Sequence, residues 1–251
     1  MYSLEGGKCI RGFIIKHLIE HLTGQPTTLW EPIVSIELIH GVSLVIDDLP
    51  CMDNDNMRRN KPSTFAQYGE RSAILTSLFG LSESFRILFE GVQKIGIDNK
   101  LSFIIKMLSE WNELIGKNLI VGQMLDLKEN IEQLVNHKIE YNHTNLMLYK
   151  TCSLFMFAFI LGGLFSNCNV NIDDYKMMGY WLGLMFQIMD DSRDTATDNP
   201  HNNIILGKGN YEAQLQYIDA KTKLLDLLNN NNIYTEPLMK LINTIDSMVQ
   251  L

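Results

Sequence analysis

Two apolar runs at helical spacing each end in a knot of carboxylates, and few folds are open to a chain that does this twice. The first run covers 32–47 and opens onto Asp47-Asp48-Leu49-Pro50-Cys51-Met52-Asp53-Asn54-Asp55; the second covers 177–189 and opens onto Asp190-Asp191-Ser192-Arg193-Asp194. A helix C-terminus carries partial negative charge, so each acidic group there is disfavoured by about 0.3–1 kcal/mol and requires a compensating cation. Asp190 and Asp194 stand four apart, on one helix face. Carboxylates at two helix ends suit a hard divalent cation, and magnesium bridges one or two of them to substrate phosphates. Either cluster alone reads equally well as a solvated turn, because aspartate is common in turns. Two together do not.

The rest of the chain supports an all-α reading. Helices are expected over 9–22, stopped before Gly24, and from Pro32 to the Asp47 region. A polar loop over 52–62 follows, then a long helix over 65–89 capped by Ser63 or Thr64. Asp98 is a candidate cap for a helix over 101–127, and 130–141 reads as a shorter amphipathic one. Thr144 opens a strongly apolar helix, and another runs from near Asp173 to the second acidic cluster. After a break over 195–203, two terminal helices complete the chain. No segment alternates with period two between turn residues, so no strand is expected. The expectation is one domain over residues 1–251, a helical bundle of roughly ten helices.

Composition excludes several classes. A formal charge of −8 opposes nucleic-acid binding, which depends on neutralising phosphates with Lys and Arg, but it leaves room for a local basic cluster. The apolar stretches 154–165 and 177–189 fall short of the ~20 residues that span a bilayer, so core helices are expected rather than a transmembrane segment. No apolar leader follows Met1, since Glu5, Lys8 and Arg11 interrupt the first fifteen residues. Cys9, Cys51, Cys152 and Cys168 lie too far apart in sequence for a zinc or redox motif. Free thiols and a cytoplasmic location are the corresponding expectations.

Basic residues accompany the acidic ones: Lys8 and Arg11 three apart at a helix start, Arg58-Arg59 after the first cluster, and Lys150 before Thr151. Arginine's planar fork matches diphosphate oxygens, and lysine adds a compact charge. With these in place the chain resembles the trans-isoprenyl diphosphate synthase (polyprenyl synthetase) family, most closely its geranylgeranyl diphosphate synthases. The resemblance rests on Gly6-Gly7-Lys8-x-x-Arg11, Glu37-x-x-His40, Asp47-Asp48-x4-Asp53, Arg58-Arg59-x-Lys61-Pro62-Ser63, Gly122-Gln123-x-x-Asp126, Lys150-Thr151 and Phe186-Gln187-x-x-Asp190-Asp191-x-x-Asp194, in family order.

That resemblance implies an isoprenoid synthase fold around a central prenyl-chain cavity, and a homodimer with interface candidates near 101–125 and 146–165. It implies a magnesium-dependent prenyltransferase that joins isopentenyl diphosphate to an allylic diphosphate. Lys8, Arg11, His40 and Arg59 would hold the first substrate. Arg58, Lys150, Thr151 and Gln187 would serve the second, through metal on Asp47, Asp48, Asp53, Asp126, Asp190, Asp191 and Asp194. Asp47, Asp48, Asp53, Arg58, Lys150 and Asp190 would carry the chemistry. Small Val42 and Ser43 before the first cluster imply a product longer than farnesyl, with Leu78 or Phe79 as lower stops. The family's lysine pair after Asp194 is missing, and Lys208 is the candidate replacement. A farnesyl synthase, a non-catalytic partner subunit, a class I terpene cyclase and a purely structural bundle are the competing readings. Dependence on isopentenyl diphosphate separates the synthase from the cyclase.

Overall fold

A computed structural model describes residues 2–96, 99–127, 142–196 and 198–251. Its helices are α1 (Ile10–Thr23), α2 (Glu31–Asp47), α3 (Thr64–Tyr68), α4 (Glu70–Lys94), α5 (Lys100–Trp111), α6 (Leu119–Asp126), α7 (His143–Met147), α8 (Ser153–Phe165), α9 (Ile172–Arg193), α10 (Ile204–Lys208), α11 (Asn210–Asn230) and α12 (Glu236–Met248). Helices α5 and α6 are joined through a π-helical stretch, Asn112–Asn118, and α7 and α8 through another, Leu148–Cys152. Twelve segments with two such junctions make ten continuous rods among the described residues, in line with the expected bundle.

The core forms around α8, where Leu154, Phe155, Phe157, Phe159, Ile160 and Leu161 are at most 2% exposed. A helix apolar on all sides must be surrounded; α1 and α9 flank it, and α11 covers α9. By length and composition alone the helices Glu70–Lys94 and His143–Phe165 are apolar enough to cross a membrane. The second is this core rod, with 72% of its most apolar window buried, whereas α4 has 28%. Most of 146–165, one of the two expected interface stretches, is thus buried within its own chain.

Several boundaries differ from the sequence reading for local reasons. Residues 57–62 form a hairpin, Met57–Arg58 antiparallel to Lys61–Pro62, where only loop was expected. Two-residue strands are too short for an alternation signal. Arg59 and Asn60 both have positive φ, 53° and 63°, as a type I′ turn requires. The long helix expected over 65–89 is broken at Gly69, whose φ of 85° a side-chain-bearing residue rarely adopts. Asn142 rather than Thr144 caps the rod leading to α8, its Oδ1 accepting the Asn145 N–H, and Asn171 caps α9. Asp98 and 130–141 lie outside the described residues.

Candidate active site

The loop after α2 folds back onto the helix end. The N–H groups of Asp53 and Asp55 donate to the carbonyls of Asp47 and Asp48 at 2.9 and 3.1 Å. These carbonyls belong to the last turn, which has no intrahelical donors of its own. Satisfying them returns Asp53 to the side of Asp47. Burial pushes the Asp47 carboxyl up to about 6, with Asp53 and Asp126 adding repulsion and Lys150 opposing it. Lys150 is ion-paired to Asp126; burial disfavours its ammonium, but Asp47 and Asp126 outweigh that and raise its pKa.

Opposite, Asp190 ends α9 and is also pushed up to about 6, by burial first and then by Asp194, with Lys8 countering. Both acidic groups open onto one cavity of about 910 Å³. Lys8, Arg11, His40, Arg58, Arg59, Lys150, Thr151 and Gln187 line that cavity too, with Val42 and Ser43. Residues from four distant stretches of sequence thus face one space. Much of the remaining wall is apolar: Leu81, Trp111, Ile115, Leu119, Leu154 and Phe186.

The basic side is built with equal economy of partners. Glu37 reaches from α2 to accept the Gly12 N–H at 2.8 Å, closing an open donor in the first turn of α1 and fixing the segment that carries Lys8 and Arg11. The Arg11 guanidinium lies 4.4 Å from the centre of the Phe155 ring, and burial draws its pKa down to about 10. Its Nε is buried and without a partner among the described residues, as is His40 Nδ1. Burial, then Arg11, Arg59 and Arg58, holds His40 down to about 2, so its imidazole is neutral. Arg59, at the hairpin tip, donates to the Ser3 carbonyl at 3.1 Å, while Lys61 reaches the Tyr2 carbonyl and Glu5. The hairpin is therefore pinned to the first residues of the chain.

Three groups of expected residues are placed otherwise. Asp48 is 2% exposed and is held by Arg58, whose Nε donates to its Oδ1 at 2.8 Å. Asp191 is 1% exposed, and its two oxygens accept from Gln187 Nε2 at 2.7 Å and from the Ile204 N–H at 2.9 Å. Protein donors thus occupy one oxygen of Asp48 and both of Asp191, whereas Asp47 and Asp190 face the cavity, since successive residues on a helix end point about 100° apart. Leu78 and Phe79 are 63% and 60% exposed and lie off the large cavity, although Phe79 lines a second, smaller cavity of about 340 Å³ together with Val42. Helix α4 turns Ala73, Ser77, Gly80 and Ser84 inward, which lets α2 approach closely, while Ile74, Leu75 and Leu78 are exposed. Lys208 is exposed at the end of α10 and lines none of the large cavity.

A buried relay escaped sequence reading. Thr151 donates its hydroxyl to Gln187, Gln187 donates to Asp191, and Asn203, fully buried, donates to the Asp191 carbonyl at 2.8 Å while its Oδ1 caps α10. Asn203 sits in a polar stretch resembling any loop; only the N-cap spacing before Ile204 could have marked it. This relay predicts that Asp191→Ala lowers stability by about 1–3 kcal/mol, since it strands the buried Ile204 N–H and the half-buried Gln187 amide. Asp190→Asn should instead raise the melting temperature in metal-free buffer, because it removes a disfavoured buried charge. Thermal melts of both variants test the division, and equal destabilisation would refute it.

Magnesium fits this donor set. Asp47, Asp53, Asp126, Asp190 and Asp194 offer oxygen ligands only, and a cation relieves both the burial of charge and the repulsion that raise Asp47 and Asp190. Among the described residues no three metal-ligating side chains are gathered into a ready-made cage. That arrangement suits an ion completed by substrate phosphate and water.

Comparison with known proteins agrees with the geometry. A geranylgeranyl pyrophosphate synthase named as mitochondrial from Arabidopsis thaliana is 30% identical over 217 residues, covering 85% of this chain and 64% of that protein. A farnesyl diphosphate synthase from Micrococcus luteus is 33% identical, covering 77% and 64%. The chain therefore spans somewhat less than two thirds of these relatives' length. The crystal structure of a geranyltranstransferase from Thermotoga maritima superposes with a TM-score of 0.80 at 26% identity, over 98% of this chain and 88% of that one. The Helicobacter pylori geranyltransferase structure gives 0.77 at 27% identity, over 96% and 84%. The family profile described as polyprenyl synthetase matches residues 1–209, and the chain belongs to that family.

Proposed function

We propose that the chain is a prenyltransferase that condenses isopentenyl diphosphate with an allylic diphosphate and releases geranylgeranyl diphosphate. The observation that carries this is the single cavity in which two acidic helix ends, a basic wall and an apolar wall meet. Lys8, Arg11 and Arg59 bind the isopentenyl diphosphate, with neutral His40 as a hydrogen-bonding partner. Lys150 and Arg58 neutralise the allylic diphosphate, so that its C–O bond breaks toward an allylic cation. Magnesium held by Asp47, Asp53, Asp126 and Asp190, with Asp194 beside them, would supply further charge neutralisation of the leaving diphosphate. The double bond of isopentenyl diphosphate captures the cation, and the departing diphosphate takes the proton. Leu154, Phe186 and their neighbours exclude water, which would otherwise trap the cation.

The test is incubation of the purified chain with labelled isopentenyl diphosphate, a set of allylic diphosphates and magnesium, followed by chromatography of the products. Failure to extend any primer would sink the assignment. A non-catalytic partner subunit would instead bind a bisphosphonate with magnesium and never turn over.

Product length rests on Val42. It lines the large cavity and also a second one of about 340 Å³ between α2 and α4, so its side chain divides the two. Ser43 hydrogen-bonds the His40 carbonyl at 2.9 Å and presents little bulk. Val42→Phe is expected to shift the product toward farnesyl; an unchanged product distribution would remove Val42 from this role.

We also propose that the protein is a homodimer. Ile74, Leu75, Leu78 and Phe79 on α4, with Leu101 and Ile105 on α5, are exposed large apolar residues, and exposed apolar surface of this kind marks interfaces. Leu75→Glu combined with Leu78→Glu should convert the dimer to monomer in light scattering. Dimeric mass in the double variant would move the interface elsewhere. The four cysteines are unpaired, which supports a reducing, cytoplasmic compartment, although relatives include proteins named as mitochondrial and chloroplastic.

A further inference from the structure

We propose that the side-chain amide of Gln123 contacts the reacting allylic carbons, its carbonyl oxygen turned toward the positive charge that develops there; this rests on the prenyl-transfer reading above. Gln123 lines the large cavity, and both its Oε1 and its Nε2 are shielded from solvent without a hydrogen-bond partner among the described residues. A buried amide left unsatisfied on both atoms is costly and rare in a folded protein, and it calls for a ligand that completes it.

Position identifies the ligand atoms. Gln123 precedes Asp126 by three residues on α6, placing it on nearly the same face and roughly 4.5 Å along the axis. Asp126 and its ion-pair partner Lys150 mark the level of the diphosphate. One turn away, toward the apolar wall of Ile115, Leu119 and Leu154, lies the level of the carbons joined to that diphosphate.

An internal comparison sharpens the point. Gln187 stands in the same relation to Asp190 on α9, three residues before it, and lines the same cavity. Its amide is fully used: Oε1 accepts the Thr151 hydroxyl, and Nε2 donates to Asp191 at 2.7 Å. Of the two glutamines, Gln123 alone has a free dipole. It is also rigidly based, because the preceding Gly122 lies against the Lys150 backbone. A fixed carbonyl dipole in a water-excluded site stabilises developing positive charge without reorganising. Unlike a carboxylate, a neutral amide also does not readily combine with the cation.

The experiment compares wild type, Gln123→Leu and Gln123→Glu. It uses two unreactive diphosphates, one carrying a tertiary ammonium where the cationic carbon would lie and one its neutral hydrocarbon isostere. Gln123→Leu is expected to lower kcat by on the order of 10-fold to 100-fold and to weaken the ammonium analogue by a similar factor. Binding of the neutral analogue and KM for isopentenyl diphosphate should stay at wild-type values. Gln123→Glu should tighten the ammonium analogue relative to the neutral one, an opposite sign that a packing defect does not produce. Equal weakening of both analogues in Gln123→Leu, or no preference for ammonium in wild type, overturns the inference. Wild type that extends no primer refutes the synthase reading instead, while the paired binding constants still report on Gln123.

Discussion

Asp47→Asn is expected to lower the rate of prenyl transfer by about 10²–10³-fold, in the range seen when one preorganised electrostatic group is lost from an active site. The substitution keeps shape and removes charge. The Asp47 charge is disfavoured where it sits, its carboxyl pushed up to about 6 by burial and by neighbouring Asp53 and Asp126. A carboxylate kept in such a place despite its cost is one whose partner arrives with the substrate. Two consequences separate this from a folding defect. Stability in metal-free buffer should hold or improve, because the buried charge is gone. The magnesium concentration needed for half-maximal rate should rise, because one oxygen ligand of the allylic diphosphate's counter-ions has been weakened. Steady-state kinetics across a magnesium titration, with a thermal melt alongside, measure both. A rate near wild type would exclude Asp47 from the reaction.

Asp48→Asn makes the useful contrast. Asp48 is adjacent in sequence and equally conspicuous, yet it is 2% exposed and spent on Arg58. Its substitution acts on the orientation of that arginine and should leave the magnesium requirement nearly unchanged.

That contrast shows what the sequence could disclose. Lys8, Arg11, His40, Arg58, Arg59, Lys150, Gln187, Asp47 and Asp190, which the family resemblance grouped around two substrates and a metal, all line one cavity. Division of labour inside a motif was not legible. Asp47 and Asp48, or Asp190 and Asp191, differ by one residue and hence by about 100° around a helix, and only the packed neighbours decide which faces the cavity. Helix α4 misled for a different reason. Leu78 and Phe79 read as lower stops of the pocket, but the stripe that meets α2 is Ala73, Ser77, Gly80 and Ser84, and of the two bulky residues Phe79 alone is among those lining the smaller cavity. Close helix approach selects small residues, a signal that hydrophobicity alone does not contain. The hairpin at 57–62 was missed because type I′ turns are recognised by Asn-Gly or Asp-Gly pairs, and here the turn is Arg59-Asn60. An arginine accepts left-handed backbone at some cost, and in return its guanidinium reaches the cavity from the hairpin tip.

Gly122→Ala is expected to have the largest combined effect on stability and rate of any single-methyl substitution near the site. A Cβ at position 122 would lie 2.4 Å from the Lys150 nitrogen and 2.6 Å from both the Lys150 Cα and the Tyr149 carbonyl carbon. These are backbone atoms, so no side-chain rotation relieves the overlap, and α6 must separate from the rod that carries Lys150. Overpacking of this kind costs about 1–3 kcal/mol, sometimes more. For a chain of this length each 1 kcal/mol lowers Tm by about 2–4 °C. The rate should suffer more than the stability. The contact lies at the π-helical turn Leu148–Cys152, which aims Lys150 at Asp126, and an ångström of displacement at a catalytic group can cost ~10²-fold. Gly116→Ala provides the control on the same continuous rod, since its Cβ would meet only the Asn112 side chain at 3.3 Å and the Trp111 ring at 3.6 Å. It should melt and turn over close to wild type. If Gly122→Ala behaves like Gly116→Ala in both measurements, the two rods do not depend on that close approach, and the aim of Lys150 is set elsewhere.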